Sequence, residues 1–396
     1  MTLGAVDDAE LRSLVPQVLG VLVRRGADFA TAEDAVQEAL VRALRVWPAD
    51  PPAVPRAWLV TVAWRAYLDL VRSDTARRAR EERVDAEPSA GEVPDDDDSL
   101  RLYFLCAHPD LTPSSAVALT LRAVGGLTTR QIAEAYLVPE ATMAQRISRA
   151  KRTVADVGLD RPGDLRTVMR VLYLVFNEGY SGDVDLAAEA IRLTRRLAEA
   201  VGADDPLRPE VHGLLALELL HHARRATRTR ADGSIVPLAE QDRSLWDRDL
   251  IAEGVVVLHA ALAHERLGEY QAQAAIAALH ADAACFEETD WVQIVEWYDE
   301  LLAITDTPIV RLNRAVAVGQ AHGPDTGLAA LDEVPEGTPR RTATAAHLHE
   351  RRGELELAAR LYARAAHEAT NAPERDHQTR QAARVNQLLR DADPRR

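Results

Sequence analysis

The feature that most constrains this chain is its periodicity. Apolar residues recur with the helical period, and the apolar–polar alternation of a half-buried strand is missing. Met143, Ile147, Ala150 and Val154 fall at i, i+4, i+7 and i+11, one stripe along a helix. Ala32, Val36, Leu40, Ala43 and Trp47 make a second stripe, and Leu59, Val62, Ala63, Ala66 and Leu70 a third. The expected fold class is all-α, with helices burying these stripes against one another.

A length of 396 residues allows two or three domains, and a hydrophobic fraction of 47% supplies their cores. The formal net charge of −15 excludes a generic nucleic-acid coat. That charge is unevenly spread. Residues 100–159 carry seven basic and four acidic side chains, whereas residues 160–396 carry 28 and 39. Cys106 and Cys285 are the only cysteines, and no CxxC or clustered Cys/His spacing suggests a metal. With no signal-peptide pattern and no 18-residue apolar run, the expected location is the cytoplasm, with no membrane contact.

Composition divides the chain. Residues 7–76 form a first helical domain. Residues 77–99 are a charged linker containing Pro88, Gly91, Pro94 and a run from Asp95 to Asp98, too polar to fold alone. Residues 100–157 form a second domain, and Gly158–Gly163 marks another boundary. Residues 164–396 read as stacked helical hairpins. Leu348, Gly353, Leu357, Ala358, Tyr362 and Ala365 follow a tetratricopeptide-like spacing within Ala345–Asn371. Asn313–Leu331 repeats it more weakly, and an earlier pair is expected over Leu186–Ala226.

Gly126–Arg152 reads as two short helices joined by a turn. Thr128 and Gln131 form a capping box at the start of the first. On the second, Gln145, Arg149 and Arg152 point opposite the apolar stripe, flanked by Thr142 and Arg146. Such groups donate to base edges and phosphates, as in a helix-turn-helix. A solvated Arg-rich face has the same pattern.

In the first domain, Thr31 is expected to cap the helix of Asp28–Trp47, with Asp34 at N3. Asp34, Gln37, Glu38 and Val41 lie opposite its apolar stripe. Pro55 suits the start of the next helix. There Trp64, Tyr67, Leu68 and Val71 fall off the main stripe, with Arg65, Asp69 and Arg72 interleaved. Extra aromatics of this kind either stack on unpaired bases or belong to a helix buried on two sides.

These segments carry a resemblance. EDAVQEALVRALRVW, AWLVTVAWRAYLDLVR, a charged linker and LTPSSAVALTLRAVGGLTTRQIAEAYLVPEATMAQRISRAKR, in that order, resemble a bacterial sigma factor of the extracytoplasmic-function group. NEGY at Asn177–Tyr180 and PLAEQDRSLWDRDLIAEG at Pro237–Gly254 resemble its subgroup with a large tetratricopeptide-like C-terminal extension. The resemblance implies a region 2 domain, a linker, a region 4 helix-turn-helix domain and a helical regulatory extension, with core RNA polymerase and promoter DNA as partners. It implies that Asp34, Gln37 and Glu38 dock on the polymerase clamp. It places Trp64, Arg65, Tyr67, Asp69 and Arg72 at the −10 element, and Thr142, Gln145, Arg146, Arg149, Lys151 and Arg152 at the −35 element. The chain departs from the family pattern at Leu137, where the turn commonly has Gly. It departs also at Ala144, where a basic residue is common, and at Trp64, where a small or polar residue is usual.

Promoter elements about 17 base pairs apart, at ~3.4 Å per pair, are separated by roughly 58 Å. The 22 residues from Arg78 to Ser99 reach about 73 Å extended and about 26 Å as a relaxed coil. The linker therefore permits simultaneous contact only when stretched. Its acidic run reads either as an RNA mimic or as a self-repelling spacer.

No GxSxG, Walker loop, GxGxxG or zinc-binding HxxxCxxC occurs, and neither a catalytic residue nor a cofactor is expected. Glu218 with His221 and His222, His280 with Asp282, and His347 with His349 have ligand-like spacings that ordinary surface or core histidines share. QDRSLWD reads either as a groove for a partner or ligand, or as an anchor of one hairpin on the next through Trp246. Two other functional classes fit less of the chain: a polymerase-independent helix-turn-helix regulator, and an enzyme housed in residues 164–396.

Overall fold

The computed structural model describes residues 8–78, 99–136, 138–157, 164–177, 185–230, 234 and 236–392. Described residues are helical and contain no strand. They form two compact units, Met1–Leu207 and Arg208–Arg396. Leu137, Gly158–Gly163, most of the acidic linker and residues 178–180 of the NEGY motif lie outside the described residues.

The first unit begins with α1 (Asp8–Arg24), α2 (Phe29–Val46) and α3 (Pro55–Arg78), each packed on the other two. Ala32, Val36, Leu40 and Ala43 of α2 and Trp47 at its C-cap are buried, as their spacing predicts. The expected cap is corrected by one turn. Asp28, not Thr31, caps α2, its Oδ1 accepting from the Thr31 amide at 2.9 Å. Asp34 is therefore released from any capping duty. Pro55 opens α3 as expected.

The unit continues with α4 (Ser99–Cys106), α5 (Pro113–Ala123), α6 (Thr129–Ala135) and α7 (Glu140–Val157). Thr112 caps α5, with Pro113 at the first helical position, where its missing N–H costs nothing. Gly126, at φ +70°, makes the reversal between α5 and α6. The unit then runs on through α8 (Leu165–Asn177) and α9 (Leu186–Ala200), which pack on each other and on α4. The buried Tyr103 hydroxyl of α4 donates to the Leu193 carbonyl of α9 at 2.7 Å.

The second unit holds α10 (Arg208–His222), α11 (Arg248–Leu262), α12 (Glu269–Asp282), α13 (Trp291–Ile304), α14 (Pro308–His322), α15 (Pro324–Asp332), α16 (Arg341–Arg351), α17 (Leu355–Glu368) and α18 (Ala372–Ala392). Consecutive helices pack on one another, in keeping with a stack of hairpins. Gly353, at φ +88°, closes the turn between α16 and α17. Of the segment Leu186–Ala226, α9 lies in the first unit and α10 opens the second.

Candidate nucleic-acid interface

The second helical motif is built as its sequence predicts. Thr128 Oγ1 accepts from the Gln131 amide at 3.2 Å, and Gln131 Oε1 accepts from the Thr128 amide at 2.9 Å. This reciprocal pair fixes the start of α6. Ile132 and Ala133 of α6 are buried, as are Met143, Ile147, Ala150 and Val154 of α7, and the two helices pack together. Burying a side chain such as Met143 or Ile147 contributes about 1.5–3 kcal/mol, so this stripe sets the rotation of α7.

That rotation decides what α7 offers to solvent. Thr142, Gln145, Arg149 and Arg152 are exposed, and Arg146 is half-buried. They form a face of guanidinium, amide and hydroxyl donors. Lys151 is different. It lies about 70° from the centre of the apolar stripe, whereas Gln145 and Arg152 lie about 170° away. It is buried at 8% exposure. Its ammonium pairs with the Glu33 carboxylate and with Asp34 Oδ1 at 2.7 Å.

Glu33 was not singled out by its sequence, yet it lies at the centre of this cluster. It is fully buried on α2, where it takes Lys151 from α7 and Arg122 Nε from α5 at 2.8 Å. Two cations offset the desolvation of one buried carboxylate. The available signal was a carboxylate beside Ala32, on the apolar side of an amphipathic helix. Arg122 also donates to the Leu127 carbonyl at 3.2 Å, tying the cluster to the entrance of α6.

The opposite face of α2 carries Asp34 and Glu38, both exposed, with Gln37 half-buried. Val41 and Leu44 lie on the same side, each 48% exposed.

On α3 the aromatics point inward. Trp64 is buried, stacks on Tyr67 with ring centroids 5.4 Å apart, and carries the Arg25 guanidinium over its ring at 5.6 Å. Burial pushes the Tyr67 hydroxyl up from its ordinary value. Arg65, Asp69 and Arg72 are exposed, with Asp69 and Arg72 paired at 3.9 Å.

In the second unit, QDRSLWD is an internal anchor. Trp246 is buried and donates through Nε1 to Thr227 Oγ1 at 3.0 Å. Arg243 lies over its ring at 5.2 Å and donates to the carbonyls of His280 and Ala283, both at 2.8 Å. A separate cavity of about 740 Å³ is lined by Trp291, Tyr298, His347, Tyr362, Gln378 and Arg384, among others. Glu350 takes both Arg384 and the Tyr362 hydroxyl, so these charges are compensated within the wall. Among the described residues, no group of three or more His, Cys, Asp or Glu is placed to hold a metal ion. No helix in them is long and apolar enough to cross a membrane.

Comparison with known proteins accords with this arrangement. Residues 11–77 match the family model of Sigma-70 region 2, and residues 101–154 that of Sigma-70 region 4. Residues 164–262 match a family of unknown function (DUF6596). An uncharacterized protein of Rhizobium meliloti (strain 1021) is 43% identical over 355 residues, 83% of each chain. A probable ECF RNA polymerase sigma factor, SigI of Mycobacterium tuberculosis, is 33% identical over 181 residues, 42% of this chain and 61% of that protein. ECF RNA polymerase sigma factor SigK of Mycolicibacterium vanbaalenii is 30% identical over 139 residues, 33% of this chain and 70% of that protein. No solved structure matches the chain.

Proposed function

Since the chain belongs to the extracytoplasmic-function (ECF) RNA polymerase sigma factors, which bind core polymerase and direct it to promoters, we propose how its residues divide that work. The exposed face of α7, made by Thr142, Gln145, Arg146, Arg149 and Arg152, reads the −35 element in the major groove. Arg65, Asp69 and Arg72 of α3, with Trp64 and Tyr67 behind them, serve the −10 element. Asp34, Gln37 and Glu38 dock on polymerase together with Val41 and Leu44. The observation that carries this reading is the exposed donor face of α7, opposite a stripe whose burial fixes its direction.

We further propose that residues 208–396 regulate the sigma domains and perform no catalysis. The matched family of unknown function spans residues 164–262 and so crosses from the first compact unit into the second. Its first two helices, α8 and α9, pack on α4, and α8 also on α5, which supports a mechanical link. A regulator of the extension would have the 740 Å³ cavity available to it.

The test is in-vitro transcription with core polymerase, comparing the full chain with residues 1–207. A cut at 207 retains α8 and α9. Altered promoter output on truncation supports regulation, and identical output with identical polymerase affinity counts against it. Failure of both proteins to associate with core polymerase would contradict the docking assignment.

A further inference from the structure

We propose that the cavity of the second unit binds a compact, uncharged aromatic molecule carrying a hydrogen-bond donor, and that this molecule is the signal to which the extension responds. The second half rests on the regulatory reading of residues 208–396; the site itself does not. The cavity measures about 740 Å³ and is walled by α12, α13, α14, α16, α17 and α18. Small-molecule sites run from about 300 to 1,000 Å³. The segment Pro237–Glu240, from the stretch between α10 and α11, lines it as well. The chain itself thus closes off one side, which suits a compact molecule better than an extended peptide.

The charges of the wall are already engaged. It holds three guanidinium groups and three carboxylates. Arg340 pairs with Glu374 at 3.0 Å, and Arg384 with Glu350 at 2.7 Å. Glu240 is taken by Arg230 at 2.8 Å, and Arg351 donates to the Gly319 carbonyl at 2.6 Å. A charged ligand would have to break one of these contacts and strand a partner. Burial lowers the pKa of His280, His347 and His377, so the imidazoles add no charge at neutral pH. The rest of the lining is rich in rings, with Phe286, Trp291, Tyr298 and Tyr362. Gln378 of α18 adds the polar feature that points to a ligand. It lines the cavity, is 9% exposed, and its Oε1 is buried with no hydrogen-bond partner. Buried acceptors are rarely left unpaired, and an unpaired one lowers stability. Rotation about the soft terminal torsion of Gln378 brings its amide to a donor on the ligand. His280 Nδ1 is a second buried atom of this wall without a partner.

The test is binding of naphthamide, a neutral ring system with an amide donor, to the full-length protein by ligand-observed NMR. Naphthoate and naphthylmethylammonium are its charged twins. Naphthamide should bind at least about tenfold more tightly than either twin, because a charge would lie unpaired in the wall. Gln378→Met removes the acceptor at similar size. It should weaken naphthamide roughly three- to tenfold, while the free protein keeps or gains thermal stability. A residue serving only the fold would lose stability instead. Ala343→Trp fills the cavity and should abolish binding. No binding of naphthamide, equally tight binding of a charged twin, or an affinity indifferent to Gln378→Met overturns the site. If Ala343→Trp does not fold, Gln378→Met still decides. Promoter output with core polymerase should change in full-length Ala343→Trp. Unchanged output, with naphthamide bound by the wild-type protein, overturns the signalling half alone. Equal output from the full chain and residues 1–207 contradicts the regulatory reading beneath it, and the binding result stands.

Discussion

The Tyr103 hydroxyl donates to the Leu193 carbonyl at 2.7 Å, joining α4 to α9 over a separation of 90 residues in the chain. Tyr103→Phe removes this bond and leaves the Leu193 carbonyl with its helical partner alone, at a cost of about 0.5–1.5 kcal/mol. Urea unfolding of residues 1–207 should show this as a lowered midpoint with an unchanged slope. Loss of α8 and α9 by truncation at residue 158 should be far worse, because it uncovers apolar surface of α4 and α5.

Arg243 is the internal brace of the second unit. It supplies donors to two carbonyls at the end of α12 and a cation to the Trp246 face. Arg243→Met keeps much of the volume but strands these acceptors. The expected loss is about 2–4 kcal/mol. Thermal unfolding of the full chain, compared with Arg243→Lys, measures it. A loss below about 0.5 kcal/mol would place the segment among the tolerant surface sites instead.

His280 predicts acid sensitivity of the same unit. Burial, then the nearby charges of Arg224 and Arg243, lower its pKa from 6.5 to about 4. The folded state therefore disfavours the protonated ring. Stability linked to this group is complete above about pH 6.5 and is lost as pH falls through about 4. A shift of this size corresponds to about 3 kcal/mol. Denaturant midpoints should decline over that window, and His280→Gln should flatten the decline. Equal pH profiles for the two proteins would exclude this origin.

The periodic part of the fold was legible in the sequence because burial and period are coupled in a helix. The stripe through Met143, Ile147, Ala150 and Val154 set the direction of α7, and Thr128 with Gln131 set the start of α6. Residue type alone does not place a cap, and Asp28 holds the role expected of Thr31. The burial of Trp64 followed from Arg25 and Tyr67 around its ring, partners that its spacing does not reveal. Lys151 entered with the DNA-facing residues through a family resemblance, although its wheel position already set it beside the stripe. Its pairing with Glu33 is a contact across 118 positions, beyond any local pattern. The union of α8 and α9 with the first unit depended on Tyr103 and Leu193 in the same way.

For DNA, Arg149→Ala should cost about 1–3 kcal/mol at one promoter position if Arg149 reads a base edge. Binding of holoenzyme to a set of single-base promoter variants resolves the position. A loss spread evenly over all sequences would assign Arg149 to phosphate.

The central claim is that one chain reads two separated DNA elements together with polymerase. Selection from a random double-stranded library, using core polymerase loaded with residues 1–207, tests it most directly. The account predicts enrichment of two sequence blocks at one fixed spacing, with the block farther upstream changed by substitution at Arg149. Enrichment of a single block, or the same enrichment by core polymerase alone, would contradict it.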